Sequence, residues 1–306
     1  MLDNITMTLP NISKNTFDRI LNKIQSVEIV KKNENVIKAK WLNMMLVYYP
    51  NSHSLEIKNS IHKLFNVIFG TGKPDNSTDF TLSQLNRVAD FIAETFEAEQ
   101  NDIFIQGRFE FGVNIEIDGF NPYNIIQRYL SYKSVRTNPF ETIAGRRGKP
   151  KQRCCYLSDY RLKVYRKNFL NGLDTRSEKD VMRYEVVTTE LRMLRKISGF
   201  RKITLRDIVG KQFWERLINY TLITHDKIQK IPLVESGISK PDLEMITLYC
   251  SPIHYFDLKR ILTEGALKQD RQKQKEIYEK WNKAESNIHV QIREIIKQKM
   301  EYLISN

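Results

Sequence analysis

Tyr165 stands between Lys163 and Lys167 in the stretch YRLKVYRKN, residues 160–168. Alternate side chains of a strand point to opposite faces. Tyr160, Leu162 and Val164 therefore share one face, and Arg161, Lys163, Tyr165 and Lys167 the other. A phenol among cations is a candidate nucleophile. Its pKa of about 10 leaves roughly one part in a thousand ionised at neutral pH, and adjacent Lys and Arg charges favour the phenolate. Two further segments share the design. In IFIQGRFEFGVNIEI (103–117), Phe109, Phe111, Val113, Ile115 and Ile117 oppose Arg108, Glu110, Gly112, Asn114 and Glu116. In VMRYEVVTTEL (181–191), Met182, Tyr184 and Val186 oppose Arg183, Glu185 and Val187.

An antiparallel sheet can bury one face and leave the other open. If these strands pair, a phenol, two carboxylates and several cations converge on the open side. That set suits phosphodiester cleavage by a tyrosine. Charge builds on the non-bridging oxygens, where lysines and a divalent metal stabilise it. Glu110 and Glu185, with the Asn114 amide, offer hard oxygen ligands for Mg²⁺ or Mn²⁺. The spacing also admits plainer readings: a surface tyrosine at 165, and cross-strand ion pairs of Glu110 and Glu185 with Arg183 and Arg108. Tyr156 is a rival nucleophile if its strand bulges, whereas Tyr160 falls on the apolar face.

The positioning elements follow from pattern. NITMTL (4–9), VIKAKWLNMMLVYY (36–49) and SLEIK (54–58) read as strands, and NTFDRILNKI (15–24) and SIHKLFNVI (60–68) as helices, the latter capped by Ser60. GTGKPDNSTD (70–79) is a loop. Leu82, Leu85, Val88, Ala89, Ile92 and Phe96 recur at helical spacing over 80–99. A helix over 122–133, with Pro122 in its first turn, and a basic loop over 137–152 come next. RCCYL (153–157) precedes the tyrosine strand, and helices are expected over 204–222, 240–250 and about 265–303. The order predicts an α+β body with an antiparallel sheet and flanking helices, then an all-helical C-terminal region.

The 306-residue chain has a net charge of +13, unevenly spread. Residues 1–100 are neutral, while 128–167 carry 12 Lys and Arg against Glu141 and Asp159. Interleaved tyrosines and cations suit a polyanion with unpaired bases; a solvated basic surface is the bland alternative. Arg146, Arg147, Lys149, Lys151, Arg153 and Arg161 are the candidate DNA contacts. Three cysteines without a CxxC and five scattered histidines exclude a disulfide framework or a zinc motif. No apolar run nears the roughly 18 residues of a membrane span, and MLDNITMTLP lacks a basic, apolar leader. A cytoplasmic location is expected.

In their order, MLDNITMTLP, SLEIK followed by FGTG, GRFEFGVN, LKVYRKN and VMRYEV resemble the filamentous-phage gene II family of replication initiators. They also resemble, less evenly, rolling-circle plasmid initiators, to which GRRGKP adds. The likeness spans about residues 1–210 and places the chain near the HUH endonucleases, whose paired histidines are absent here. It implies a HUH/Rep-like nicking and joining domain over 1–203, with 204–306 left for origin binding, self-association or helicase contact. By the same resemblance Tyr165 is the nucleophile, Lys167 and Lys163 its partners, and Glu110, Glu185 and Asn114 the metal site. Arg108 and Arg183 are phosphate or carboxylate partners. The implied activity is metal-dependent nicking of origin DNA in a bacterial host, giving a 5′-phosphotyrosine and a 3′-OH for a host polymerase, then strand closure. A non-catalytic nucleic-acid-binding protein such as a repressor is the alternative. A tyrosine recombinase is disfavoured because no His-x-x-Arg pair precedes the tyrosine.

Overall fold

The structure is a computed structural model that describes residues 1–117, 119–134, 137–144, 150–167, 181–234 and 237–306. Arg146, Arg147 and Lys149 lie outside the described residues. Among those described, ten strands form one antiparallel sheet in the order β2-β3-β4-β5-β1-β6-β12-β11-β10-β9. They are β1 (Leu2–Leu9), β2 (Val27–Lys32), β3 (Ile37–Trp41), β4 (Met44–Tyr49), β5 (Ser54–Ser60), β6 (Phe104–Glu116), β9 (Glu141–Ala144), β10 (Pro150–Tyr156), β11 (Tyr160–Arg166) and β12 (Val181–Thr188). A second, three-stranded sheet runs β13-β7-β8, from Ile228–Lys230, Tyr129–Ser134 and Thr137–Pro139. The protein is α+β, with helices flanking a large antiparallel sheet and a C-terminal region that is helical apart from β13.

The alternating strands bury their apolar sides as read. Phe109, Phe111, Val113, Ile115, Leu162, Val164, Met182, Tyr184 and Val186 all lie in one core. Two helices of the C-terminal region, Lys211–Asp226 and Ile288–Ser305, cover that side. Phe213 and Trp214 set their rings 5.8 and 6.1 Å from Phe109, and Tyr184 shares a hydrogen bond with Thr224 at 3.1 Å. Isoleucines 288, 292 and 296 belong to the same core, so the C-terminal helices are part of what holds the sheet. The N-terminal half supplies Lys14–Lys23, Ile61–Phe69 and Leu82–Thr95. Ser60 caps the second, and Thr81 with Gln84 forms a capping box on the third.

Four readings change. The helix expected over 122–133 stops at Ile126; Tyr129–Ser134 is a strand because it pairs with Ile228–Lys230 and buries Tyr129 and Tyr132. Pairing with neighbours outweighs the helical pattern there. The basic stretch 137–152 contains β8, β9 and the start of β10. The strand Val27–Lys32 is an addition: it is an exposed edge whose apolar residues, Val27, Ile29 and Val30, do not alternate regularly, and Glu28, Lys31 and Lys32 there deter edge-to-edge association. The long final helix is two, Glu264–Asn282 and Ile288–Ser305, the second begun by Asn287, whose side chain accepts from the His289 amide. Among the described residues no helix is long and apolar enough to cross a membrane.

Candidate active site

Register brings the polar groups together. Across β11, β12 and β6, Tyr165 is opposite Arg183, which is opposite Asn114. In the next row Lys163 faces Glu185, which faces Gly112; in the third Arg161 faces Val187, which faces Glu110. Gly112 leaves room for Glu185: a Cβ there would lie 2.8 Å from Glu185 Cγ and 2.9 Å from its Cα.

The phenol of Tyr165 donates to Glu185 Oε1 at 2.8 Å. Arg183 donates through Nε to the same oxygen, and through Nη1 to Asn114 Oδ1 at 3.1 Å. The Lys163 ammonium lies between the two acids, 2.5 Å from Glu185 Oε2 and bonded to Glu110 Oε1. Glu110 Oε2 accepts from Arg108 at 2.5 Å and from the Asn4 amide at 2.8 Å. Lys167, just past the end of β11, donates to the Asn76 carbonyl and to Asn114 Oδ1 at 3.4 Å. The loop after Ile61–Phe69 thus reaches this face, where Ser77 also takes a hydrogen bond from Asn114 at 3.2 Å.

The face is buried rather than open. Tyr165 is 7% exposed and Glu185 0%, while the Arg108 side chain, 46% exposed, marks the rim. Burial resets the electrostatics. It pushes the Tyr165 hydroxyl well above its ordinary value, and Glu185 adds to that against the opposing Arg183 charge. The expectation that neighbouring cations favour the phenolate is therefore corrected: the resting site holds a neutral phenol that donates to an acid. Burial would also raise Glu185, but Arg183 and Lys163 outweigh it and hold the carboxyl below the usual range. Glu110 is raised, by burial and by the Glu185 charge. Burial and the nearby Arg183 charge lower Lys167 to about 7. Lys163 is raised because Glu185 and Glu110 overcome its burial.

Other candidates lie elsewhere. Arg153 is on the opposite side of β10, level with Val164, and donates to the Gln127 and Phe140 carbonyls at 2.8 and 2.6 Å. It ties β10 to the β7–β8 region. Lys151 falls on β10, and Arg161 extends the candidate face by one row. Tyr156 pairs with Arg161, beyond Lys163, and is 47% exposed. Two contributors escaped the sequence reading. Buried Asp3 accepts from Ser60 and, at 2.7 Å, from Asn76, and stands 3.5 Å from Arg183; Asn4 reaches Glu110. Both sit where the β1–β6 register shifts between the Leu2–Phe111 and Ile5–Phe109 pairs. A bulge re-aims side chains without leaving a periodic trace.

A divalent ion does not fit this donor set as it stands. Mg²⁺ takes roughly octahedral oxygen ligands at about 2.1 Å. Here each carboxylate oxygen of Glu110 and Glu185 already meets a cation or a hydrogen-bond donor, and Asn114 Oδ1 accepts from Arg183 and Lys167. Among the described residues no group of three or more His, Cys, Asp or Glu side chains gathers to hold a metal ion. The acids are ion-paired, but not with arginines across strands as expected: Arg108–Glu110 and Arg183–Glu185 each pair along one strand, and the cross-strand partner of both acids is Lys163.

No family profile and no curated protein matches the chain. Its coordinates are similar to a solved structure, a rolling circle replication initiator protein from Geobacillus stearothermophilus, with a TM-score of 0.45 and 11% identity, over 79% of this chain and 89% of that one.

Proposed function

We propose that the protein cleaves and rejoins one DNA strand through Tyr165, as an initiator of rolling-circle replication. The observation that carries this reading is the 2.8 Å hydrogen bond from the Tyr165 phenol to Glu185, set among Lys163, Arg183 and Lys167 on one face of three adjacent strands. A nucleophile within reach of a fixed acceptor, itself oriented by a third group, is the usual form of an activated hydroxyl.

The Tyr165 oxygen bonds to phosphorus while its proton passes to Glu185 Oε1. The bond to the 3′ oxygen breaks, and that oxygen leaves as a hydroxyl, taking a proton from Lys167. An ammonium near pH 7 is matched to that task. Arg183 and Lys163 stabilise the charge gathering on the phosphoryl oxygens. The 5′ phosphate stays on the tyrosine, and the 3′-OH is left for a host polymerase. In the reverse step the two proton carriers exchange roles, and a 3′-OH takes the strand back without a nucleotide cofactor. Arg108 on the rim is the first cation an incoming phosphate meets. Because the phenol is buried, strand entry requires the loop carbonyls at Asn76 and Ser77 to let go of Lys167 and Asn114.

The test uses single-stranded oligonucleotides tiling the genetic element that encodes the chain. The wild-type protein is expected to form a covalent 5′ adduct with one of them, and Tyr165→Phe to bind that oligonucleotide without forming it. An adduct on Tyr165→Phe would transfer the role to another tyrosine. Tight binding with no adduct from the wild type would favour a repressor.

A further inference from the structure

The ammonium of Lys163 lies in the cleft between two buried carboxylates, in contact with one oxygen of each. We infer that Lys163 is the resident cation of this site: it occupies the position a divalent ion would need and serves the scissile phosphate in its place. The inference deepens the nicking reading and rests on it for the catalytic role, though not for the binding role.

Three observations carry it. The Lys163 side chain is 11% exposed, and Glu110 and Glu185 are 1% and 0% exposed, so its charge is neutralised locally rather than by solvent. The outer oxygens of the acids are taken by groups from other positions: Asn4 and Arg108 on Glu110, Tyr165 and Arg183 on Glu185. The charges also close without an added ion. Asp3, Glu110 and Glu185 supply three negative charges, and Lys163, Arg183 and Arg108 three positive ones, before Lys167 is counted. A divalent ion entering this cleft would have to expel Lys163 or sit against its charge, and the low local dielectric makes either costly. Catalytically, an ammonium held by two carboxylates is a fixed donor aimed at one edge of the phosphate, needing no reorganisation as the transition state forms. Lys163 is also 5.7 Å from the centre of the Tyr165 ring, close enough to serve the phosphorus that the phenol attacks.

The measurement is Mn²⁺ binding, followed by isothermal titration and by the spin resonance of the free ion, on wild type, Lys163→Met, Lys163→Arg and Glu110→Gln. The expectation is no saturable site in wild type or Lys163→Arg, and in Lys163→Met a gained site with affinity raised more than about tenfold. One Mn²⁺ bound per wild-type chain and lost in Glu110→Gln overturns the inference, as does Lys163→Met binding no better than wild type. If Lys163→Met does not fold, the wild-type, Lys163→Arg and Glu110→Gln titrations decide alone. Adduct formation by the wild type is expected to persist in excess chelator; loss on chelation and recovery with Mn²⁺ overturns the catalytic half. Absence of adduct under every condition counts against the nicking reading instead, and the titrations still judge the cation site.

Discussion

At the scale of single residues, Glu185 carries the most. It accepts the phenol's hydrogen bond, anchors Arg183 and shares Lys163 with Glu110, while fully buried. Glu185→Gln keeps the shape and removes the charge. If the acid takes the proton from Tyr165, adduct formation should slow by about 10²–10⁴. Stability should fall too, since Arg183 and Lys163 lose a buried partner; the cost of breaking such a pair is about 3–5 kcal/mol, here towards the lower end because Asp3 and Glu110 remain. Quench-flow adduct yields and urea unfolding separate the two effects. An unchanged adduct rate in a destabilised protein would reduce Glu185 to a structural anchor. The residue types at 108, 110, 163, 165, 183 and 185 were legible because alternation opposes each polar set to an apolar one on its own strand, and burying the three apolar sets in one core puts the polar sets on one face. Asp3 and Asn4 were not, because a bulge sets their direction and no spacing in MLDNITMTLP announces one. That the face is buried was equally invisible: alternation says which side a residue takes, not what covers that side.

At the scale of elements, the site depends on how closely β6 and β12 approach, and Gly112 sets that approach. Its missing side chain leaves space against the Tyr184 carbonyl and Glu185 Cα, both backbone, and against the Glu185 Cγ. Gly112→Ala must push the strands apart or turn Glu185 away from Tyr165. Overpacking of this kind costs about 1–3 kcal/mol. The expected result is a lower unfolding midpoint and an adduct yield reduced further than the stability loss explains, because Glu185 moves with the strand. A variant with wild-type stability and wild-type yield would show that the pair yields at no cost. The element boundaries were less legible than the faces. Tyr129–Ser134 satisfies a helical pattern locally, and its pairing with Thr137–Pro139 on one side and the distant Ile228–Lys230 on the other makes it a strand. The split of the final helix, by contrast, had a local signal in Asn287, a good cap inside an otherwise helical run.

At the scale of the whole molecule, buried ionisable groups both within and away from the candidate site set the response to pH. Lys230 on β13 is fully buried and donates to the His225 carbonyl at 2.5 Å; Asp226, Arg293, His225, His289, Tyr129 and Tyr278 surround it. Burial lowers its pKa to about 7, as it does for Lys167. Between about 7 and 10.5 the unfolded chain therefore keeps protons that the folded chain has released, so stability rises with pH across that window. Each fully differing proton contributes a slope of at most about 1.4 kcal/mol per pH unit. Buried His62, His225 and His289 act in the same direction below about 6.5, since burial keeps them neutral when folded while the unfolded chain protonates them. The opposing groups enter higher up. Burial raises the Cys155 and Cys250 thiols to about 11 and 12 and lifts the Tyr129 and Tyr278 hydroxyls, so above about 9 the folded chain holds protons that the unfolded one loses. Urea midpoints should thus climb from pH 6 to a maximum near about 9 and then fall. Lys230→Met removes one titrating group and should lower the slope between about 7 and 9 relative to wild type, with Lys167 still contributing. Midpoints that stay flat or decline across that interval in wild type would mean the buried lysines remain charged in the fold, held by Asp226 and Asp3 more strongly than burial opposes them.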